Sequence, residues 1–181
     1  SFRVSYKKGL RNSTCKRSNS DPGSSYWNDH WLYYWKHYPT LMNILVIHGP
    51  NLNLIGLQSS RNKHSLTLDK LNKELKLHAR QHSLTLKIHQ THKEFQALNI
   101  LQRNRNWAAG ILMIPTSWAR NNFTLLETIK LINLKTAMVF FDGDFSFGTE
   151  EKDSILIDEN IKNFSGEPFT AIVNALDYLR S

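Results

Sequence analysis

Residues 42–56, MNILVIHGPNLNLIG, carry the clearest indication of the fold. The apolar run at residues 44–47 is typical of a strand that is buried on both faces of a parallel sheet. The run ends at Gly49, Pro50 and Asn51, three residue types that favour turns. The stretch therefore predicts a buried parallel strand followed by a loop, at the edge of the sheet where open α/β proteins bind their ligands.

Strands and helices are predicted to alternate through the rest of the chain. Apolar residues spaced three and four apart predict helices at residues 66–82, 94–104, 123–133 and 168–180. Apolar or alternating runs predict further strands at residues 83–90, 107–117, 136–144 and 154–157. The fold class is therefore α/β, with a flavodoxin-like, doubly wound, parallel five-stranded sheet in residues 42–181.

Length and composition exclude several classes of protein. A chain of 181 residues suffices for one domain with some length to spare. No run of about 18 apolar residues is present, so no transmembrane segment is predicted. The single cysteine, Cys15, can form neither an internal disulfide nor a four-cysteine zinc site. The net charge of +8 favours acidic or phosphate-bearing partners without identifying them.

Residues 1–41 form a basic and aromatic N-terminal extension with seven basic and two acidic residues. Its basic arm, residues 1–20, contains no acid and no apolar stretch of the secretory kind. This composition is typical of targeting to a mitochondrion or plastid. The alternatives are a disordered basic arm, able to bind nucleic acid, or residues upstream of a start at Met42 in a cytoplasmic protein. Residues 21–25, DPGSS, predict a linker.

An aromatic helix is predicted at residues 26–38. Five aromatic side chains share one face of it: Trp27, Trp31, Tyr34, Trp35 and Tyr38. This aromatic stripe could pack on the chain's own domain, anchor into a partner protein or stack on nucleic acid. Any of the three would remove it from water.

Polar residues follow two of the predicted strands. Asn51 and Asn53 could hold a polar substrate or cap the following turn. Asp142 and Asp144 could supply an acid or a metal ligand, although a turn at Gly143 explains them equally well. Each pair lies where a ligand would be expected, but neither determines a reaction.

The histidines do not predict a metal site. His78 and His82 lie four residues apart on a helix, and His89 and His92 lie near a strand end. No Cys, Asp or Glu at ligand spacing completes a zinc site, so packed or solvated histidines are expected. With no glycine-rich phosphate-binding motif, no cofactor is predicted either.

Several motifs together resemble the type II 3-dehydroquinate dehydratases. The first motif is ILVIHGPNLNLIG, which resembles the family's ILVINGPNLNLLG. The second is HQTHKEF, where the family has a FQSNHEG-like segment, and the third is GILMIPTSWARNN, where the family has GIIINPGAYTHTS. The resemblance spans about residues 42–181, and residues 1–41 have no counterpart in it. The resemblance implies the family's core but does not require the family's oligomer, which is a dodecamer built from trimers.

The family removes water from 3-dehydroquinate to give 3-dehydroshikimate in the shikimate pathway, without a cofactor. The resemblance implies a base tyrosine on a mobile loop, an arginine near it, a general-acid histidine, and asparagines around the enolate. A base must remove a weakly acidic proton, donors must stabilise the enolate, and an acid must protonate the leaving hydroxyl.

This chain departs from the family at most of these positions. Asn51 retains the asparagine of GPNLN. This chain has Gln58 in place of the loop arginine and Lys63 in place of the base tyrosine. It has Ile114 in place of the asparagine that begins the family's NPGAYTH segment. At the remaining positions of the family site, this chain has Arg120 for the second histidine, Phe140 for the general acid (or Phe141, one residue further along), Asp142 for a serine and Glu151 for a distal arginine.

These substitutions predict a catalytically inactive homologue that acts as a structural or binding subunit of a larger assembly or as a homo-oligomer. Asn51, Asn53 and Arg120 would be the remnant of the substrate site. One alternative is a divergent, active dehydratase that uses Lys63, Arg120 and Asn51. Another is an RNA-binding organellar subunit that uses the basic arm and the surface around Arg103, Arg105 and Arg120.

Overall fold

Five parallel strands form the sheet of the computed structural model, which describes residues 41–61, 66–147 and 149–181. The strands are β1 (Met42–His48), β2 (Leu84–Gln90), β3 (Gly110–Ile114), β4 (Lys135–Phe141) and β5 (Ile161–Gly166). Their order in the sheet is β2-β1-β3-β4-β5, and every neighbouring pair is parallel. The predicted flavodoxin-like, doubly wound architecture is therefore confirmed.

Four of the helices in the described residues lie close to where the apolar periodicity places them, and the short first helix was not predicted. The helices are α1 (Ile55–Arg61), α2 (Leu68–Gln81), α3 (Glu94–Asn104), α4 (Phe123–Ile132) and α5 (Pro168–Arg180). Thr67 begins α2 as its N-cap, because its hydroxyl accepts a hydrogen bond of 3.3 Å from the backbone N–H of Lys70. Pro168 suits the first turn of α5, where its missing N–H costs nothing.

Two apolar clusters cover the two faces of the sheet. Residues of α1, α2 and α5 pack on one face, and residues of α3 and α4 pack on the other. Strand β4 supplies both clusters by alternation, since Val139 and Phe141 join the first and Met138 and Phe140 the second. Both faces of the central strands are thus buried, as their continuous apolar runs predict.

The prediction of a fifth strand at residues 154–157 is wrong. That segment contains no strand, although Leu156 is fully buried and the Ile155 N–H bonds to the Ala119 carbonyl at 2.8 Å. The fifth strand is β5, which pairs only with β4 at the edge of the sheet. Because an edge strand tolerates polar residues such as Lys162 and Ser165, it lacks the apolar run on which the prediction relied.

Several sequence-based predictions lie outside the described residues. These are the basic arm, the linker, the aromatic helix of residues 26–38 with its stripe, and Lys63. Across the described ranges, none of the helices has the length and apolar character needed to span a membrane.

Candidate active site at the carboxyl edge of the sheet

The carboxyl ends of β1 and β3 meet at Gly49. Its N–H bonds to the Ile114 carbonyl at 2.8 Å, and a Cβ on Gly49 would lie 2.5 Å from the carbonyl oxygen of Pro115. A side chain is therefore excluded here, and glycine allows the two strand ends to approach. Two residues later Asn51 adopts φ of 65°, a left-handed conformation that asparagine tolerates better than most residues.

The two asparagines of this loop are exposed. The Asn51 side chain makes no capping hydrogen bond to the 3-10 turn Leu52–Leu54 that follows. Asn53 Oδ1 accepts a long hydrogen bond of 3.4 Å from Gln90 Nε2. Asn51 thus lies at the edge of the sheet where the resemblance places a substrate contact.

Apolar side chains lie where the resemblance predicts the family's second asparagine and general acid. Ile114 and Phe140 are only 2% and 3% exposed, and both belong to the core clusters. They line a cavity of about 10 Å³ together with residues that include Phe141, Phe145 and Phe147. That volume holds about one water molecule. The described residues therefore leave no room for a sugar-sized ring at this point.

Two residues around this cavity have unfavourable backbone conformations. Thr116 has φ of 48° and Phe147 has φ of 51°, values that are rare for β-branched and bulky residues. Thr116 stands where the resembled NPGAYTH segment has its glycine, which adopts such values without strain. The Thr116 hydroxyl donates a hydrogen bond of 2.8 Å to the Pro50 carbonyl, which offsets part of the cost. The loop after β3 keeps a glycine-like backbone although the glycine is absent.

A larger concavity of about 660 Å³ lies beyond the ends of β4 and β5 and carries mainly acidic groups. Its charged lining residues are Asp142, Glu150, Glu151 and Lys152. The Lys152 ammonium lies 2.7 Å from Glu150, and this hydrogen bond raises the pKa of Lys152. Glu151 accepts a hydrogen bond from the hydroxyl of Ser165. With three acids and one lysine, this concavity repels anions.

Arg120 forms an ion pair with Asp153 of the same chain. It ends the 3-10 turn Thr116–Arg120, is about half exposed at 54%, and donates to Asp153 at 3.2 Å. The hydrogen bond from Arg120 lowers the pKa of Asp153, so the carboxylate stays ionised. The other two arginines of the predicted RNA surface, Arg103 and Arg105, are exposed on and just after α3. Gln58 lies in α1.

The buried imidazole of His48 at the end of β1 was not among the residues predicted from the sequence. Its Nε2 lies 2.8 Å from Asn72 Oδ1, whereas its Nδ1 has no partner among the described residues. Burial lowers the pKa of His48 to about 4, against the opposing hydrogen bond to Asn72. The imidazole is therefore neutral near pH 7 and donates its Nε2 proton to Asn72. A histidine that ends a fully apolar run was the available clue.

The sequence analysis also missed an acid beside the histidine pair of α2. His78 Nε2 donates to Asp177 Oδ1 at 3.0 Å, across 99 residues of sequence, and the rings of His78 and His82 are 4.4 Å apart. The spacing of residues within α2 cannot reveal the contact between His78 and Asp177, because Asp177 lies in α5. The expectation of packed or solvated histidines overlooked a third possible ligand.

Comparison with known proteins gives a consistent family. The family profile described as Dehydroquinase class II matches residues 42–177. A 3-dehydroquinate dehydratase of Clostridium botulinum (strain 657 / Type Ba4) is 23% identical over 137 residues, which cover 76% of this chain and 93% of that protein. A 3-dehydroquinate dehydratase of Trichodesmium erythraeum (strain IMS101) is 32% identical over 106 residues, covering 59% of this chain and 71% of that protein.

Solved structures support the same fold. The type II dehydroquinase from Butyrivibrio crossotus DSM 2876 superposes with a TM-score of 0.67 at 18% identity, covering 79% of this chain and all of that one (100%). The type II dehydroquinase from Propionibacterium acnes gives a TM-score of 0.61 at 19% identity, covering 76% and 96%. At such low identity the likeness establishes the architecture and leaves the chemistry to the individual residues.

Proposed function

This chain belongs to the class II dehydroquinase family, and we propose that it is a catalytically inactive member that serves as a structural or binding subunit of a larger assembly. One observation carries the proposal. Ile114 and Phe140, at the family's enolate-binding and general-acid positions, are packed into the core around a cavity of about 10 Å³.

The chemistry of these two side chains supports the inactivity. The phenyl ring of Phe140 has no proton to donate to a leaving hydroxyl, and the aliphatic side chain of Ile114 has no polar atom to hold an enolate oxygen or an ordered water. General acids contribute about 10²- to 10⁴-fold to such reactions, and groups that act as a unit cannot be removed singly without large loss. Replacement of both groups therefore removes most of the stabilisation of the transition state.

Charge supports the same conclusion. Asp142 and Glu151 line the large concavity at positions where the resembled family has a serine and an arginine. A carboxylate substrate would meet repulsion there, and the exposed Arg120 already pairs with Asp153. The site offers the substrate's negative charge no free cation among these residues.

The divergent dehydratase remains the second candidate, because Asn51 keeps both its identity and its exposure at the loop after β1. In that proposal Lys63 is the base and works with Asn51 and Arg120. It requires Arg120 to leave Asp153. Turnover of 3-dehydroquinate that disappears in Lys63→Ala would favour this candidate over an inactive subunit.

The role as a subunit rests on the extension. The described domain completes two apolar clusters from its own residues, so it does not need the aromatic stripe of Trp27, Trp31, Tyr34, Trp35 and Tyr38. An uncovered stripe of this size would promote aggregation. We therefore propose that the stripe packs on a partner protein, with the basic arm along an acidic or phosphate-bearing surface, in a mitochondrion or plastid.

Deleting residues 1–41 should leave the α/β domain folded and abolish co-purification with its partner. The physical reason is that the core lies downstream of the deletion, whereas the proposed anchor lies within it. Circular dichroism and thermal melting measure folding, and affinity purification with mass spectrometry measures the partner.

Two milder variants serve as controls. Trp31→Ala with Trp35→Ala should release the partner if the stripe anchors it, whereas Lys7→Ala with Lys8→Ala should weaken binding mainly at low salt, where the charges of the lysines are least screened. Loss of cooperative melting in the truncated chain would show instead that the stripe belongs to the domain's own core.

A further inference from the structure

Three side chains able to bind a metal meet where α2 packs beside α5. His78 and His82 lie one turn apart at the end of α2, and Asp177 lies in the last turn of α5. One ligand atom from each residue can be chosen so that all three lie within 4.8 Å of one another. His82 directly follows the last residue of α2, and its ring centroid lies 4.4 Å from that of His78, so both imidazoles lie close enough to reach one ion.

Two hydrogen bonds meet at the carboxylate of Asp177. Asp177 Oδ1 accepts both bonds, from His78 Nε2 at 3.0 Å and from Arg180 Nε at 2.9 Å. A cation bound to this carboxylate would take the place of the His78 proton in that contact.

We propose that His78, His82 and Asp177 form a binding site for one zinc ion. Two imidazole nitrogens and one carboxylate oxygen are the donors that zinc prefers, whereas Mg²⁺ and Ca²⁺ require mostly oxygen ligands. Zinc binds nitrogen and oxygen ligands of this kind at about 2.0–2.2 Å. A water molecule completes the tetrahedron, since the three residues are only partly buried.

The ion would cross-link the C-terminal helix α5 to α2. The hydrogen bond from His78 to Asp177 already joins a side chain of α2 to one of α5. The three residues of the zinc site play no part in the proposed function. The proposal of a zinc site can therefore be tested independently of the proposal that the protein is catalytically inactive. A bound zinc ion would therefore hold α5 against α2 in addition to the apolar packing between them.

His82 distinguishes a metal site from a structural hydrogen bond. Its ring contacts that of His78, but the bond from His78 to Asp177 does not involve it. His82→Gln therefore removes one ligand and keeps the hydrogen bond. His92→Gln, at an exposed histidine outside the cluster, is the matched control.

Isothermal titration of the full chain with zinc chloride tests the site. The wild-type chain and His92→Gln should bind one zinc ion at the cluster, and His82→Gln should lose more than about tenfold in affinity for it. Magnesium chloride should give no binding at this site. Equal zinc affinity in the wild-type chain and His82→Gln, or no zinc binding by the wild-type chain, would overturn the proposal.

A second measurement does not depend on any variant. X-ray absorption of the wild-type zinc complex should show two imidazole nitrogens in the first coordination shell, with oxygen in the remaining positions. A shell of oxygen alone, or of four imidazoles contributed by the chain's other histidines, would contradict the proposed ligand set.

Discussion

Replacing Phe140 by alanine should lower the free energy of unfolding by about 3–5 kcal/mol. The ring is 3% exposed and packs in the cluster on the α3 and α4 face of the sheet. Its removal loses the transfer energy of the buried ring and leaves a void that the central strand β4 cannot readily close. Urea denaturation followed by circular dichroism gives this free energy.

The exposed Phe123 at the start of α4 is the matched control. It is 69% exposed, so Phe123→Ala should change the free energy of unfolding by no more than about 0.5 kcal/mol. If the two substitutions have equal small effects, Phe140 does not belong to the core. The argument that core side chains occupy the family's catalytic position would then fail.

Acidification from pH 7 to pH 4 should remove about 3 kcal/mol of stability through His48 alone. Its pKa is lowered from the usual 6.5 to about 4, and each pKa unit corresponds to about 1.4 kcal/mol. Below pH 6.5 the unfolded chain binds a proton at His48 that the folded protein does not. This part of the stability is therefore complete above pH 6.5 and is lost as the pH falls to about 4.

His48→Asn isolates this contribution from the titration of the carboxylates. Asparagine does not ionise, so urea denaturation at pH 7, 5.5 and 4 should show a weaker loss of stability in the variant than in the wild-type chain. His92→Gln, which alters an exposed histidine, should follow the wild-type chain. Parallel pH profiles for His48→Asn and the wild-type chain would show that His48 titrates normally and is not buried.

The fold could be predicted from sequence because most of its elements have strong periodicity. The apolar runs of β1, β3 and β4 are continuous, as strands covered on both faces require. The edge strand β5 could not be found in this way, since residues such as Lys162 and Asn163 interrupt it and Leu156 nearby offers a more apolar alternative. Which of the two segments, 154–157 or 161–166, forms the fifth strand depends on its pairing with β4, and no local sequence pattern shows that pairing.

The site could be predicted only in part. The resemblance to the family motifs indicated Ile114 and Phe140 as substitutions, but not that Phe145 and Phe147, from the loop after β4, would line a cavity of about 10 Å³ with them. The cost of burying His48 depends on its neighbours in space. The meeting of His78 with Asp177 depends on the packing of two helices that are far apart in sequence.

Turnover of 3-dehydroquinate by the purified full chain tests the central claim of inactivity most directly. Ultraviolet absorbance follows the conjugated enone product, and the 3-dehydroquinate dehydratase of Clostridium botulinum serves as the active control. With the general-acid position occupied by Phe140, the rate should equal that of buffer alone at every concentration of chain. A rate that rises in proportion to chain concentration, and that is lost in Lys63→Ala, would contradict it.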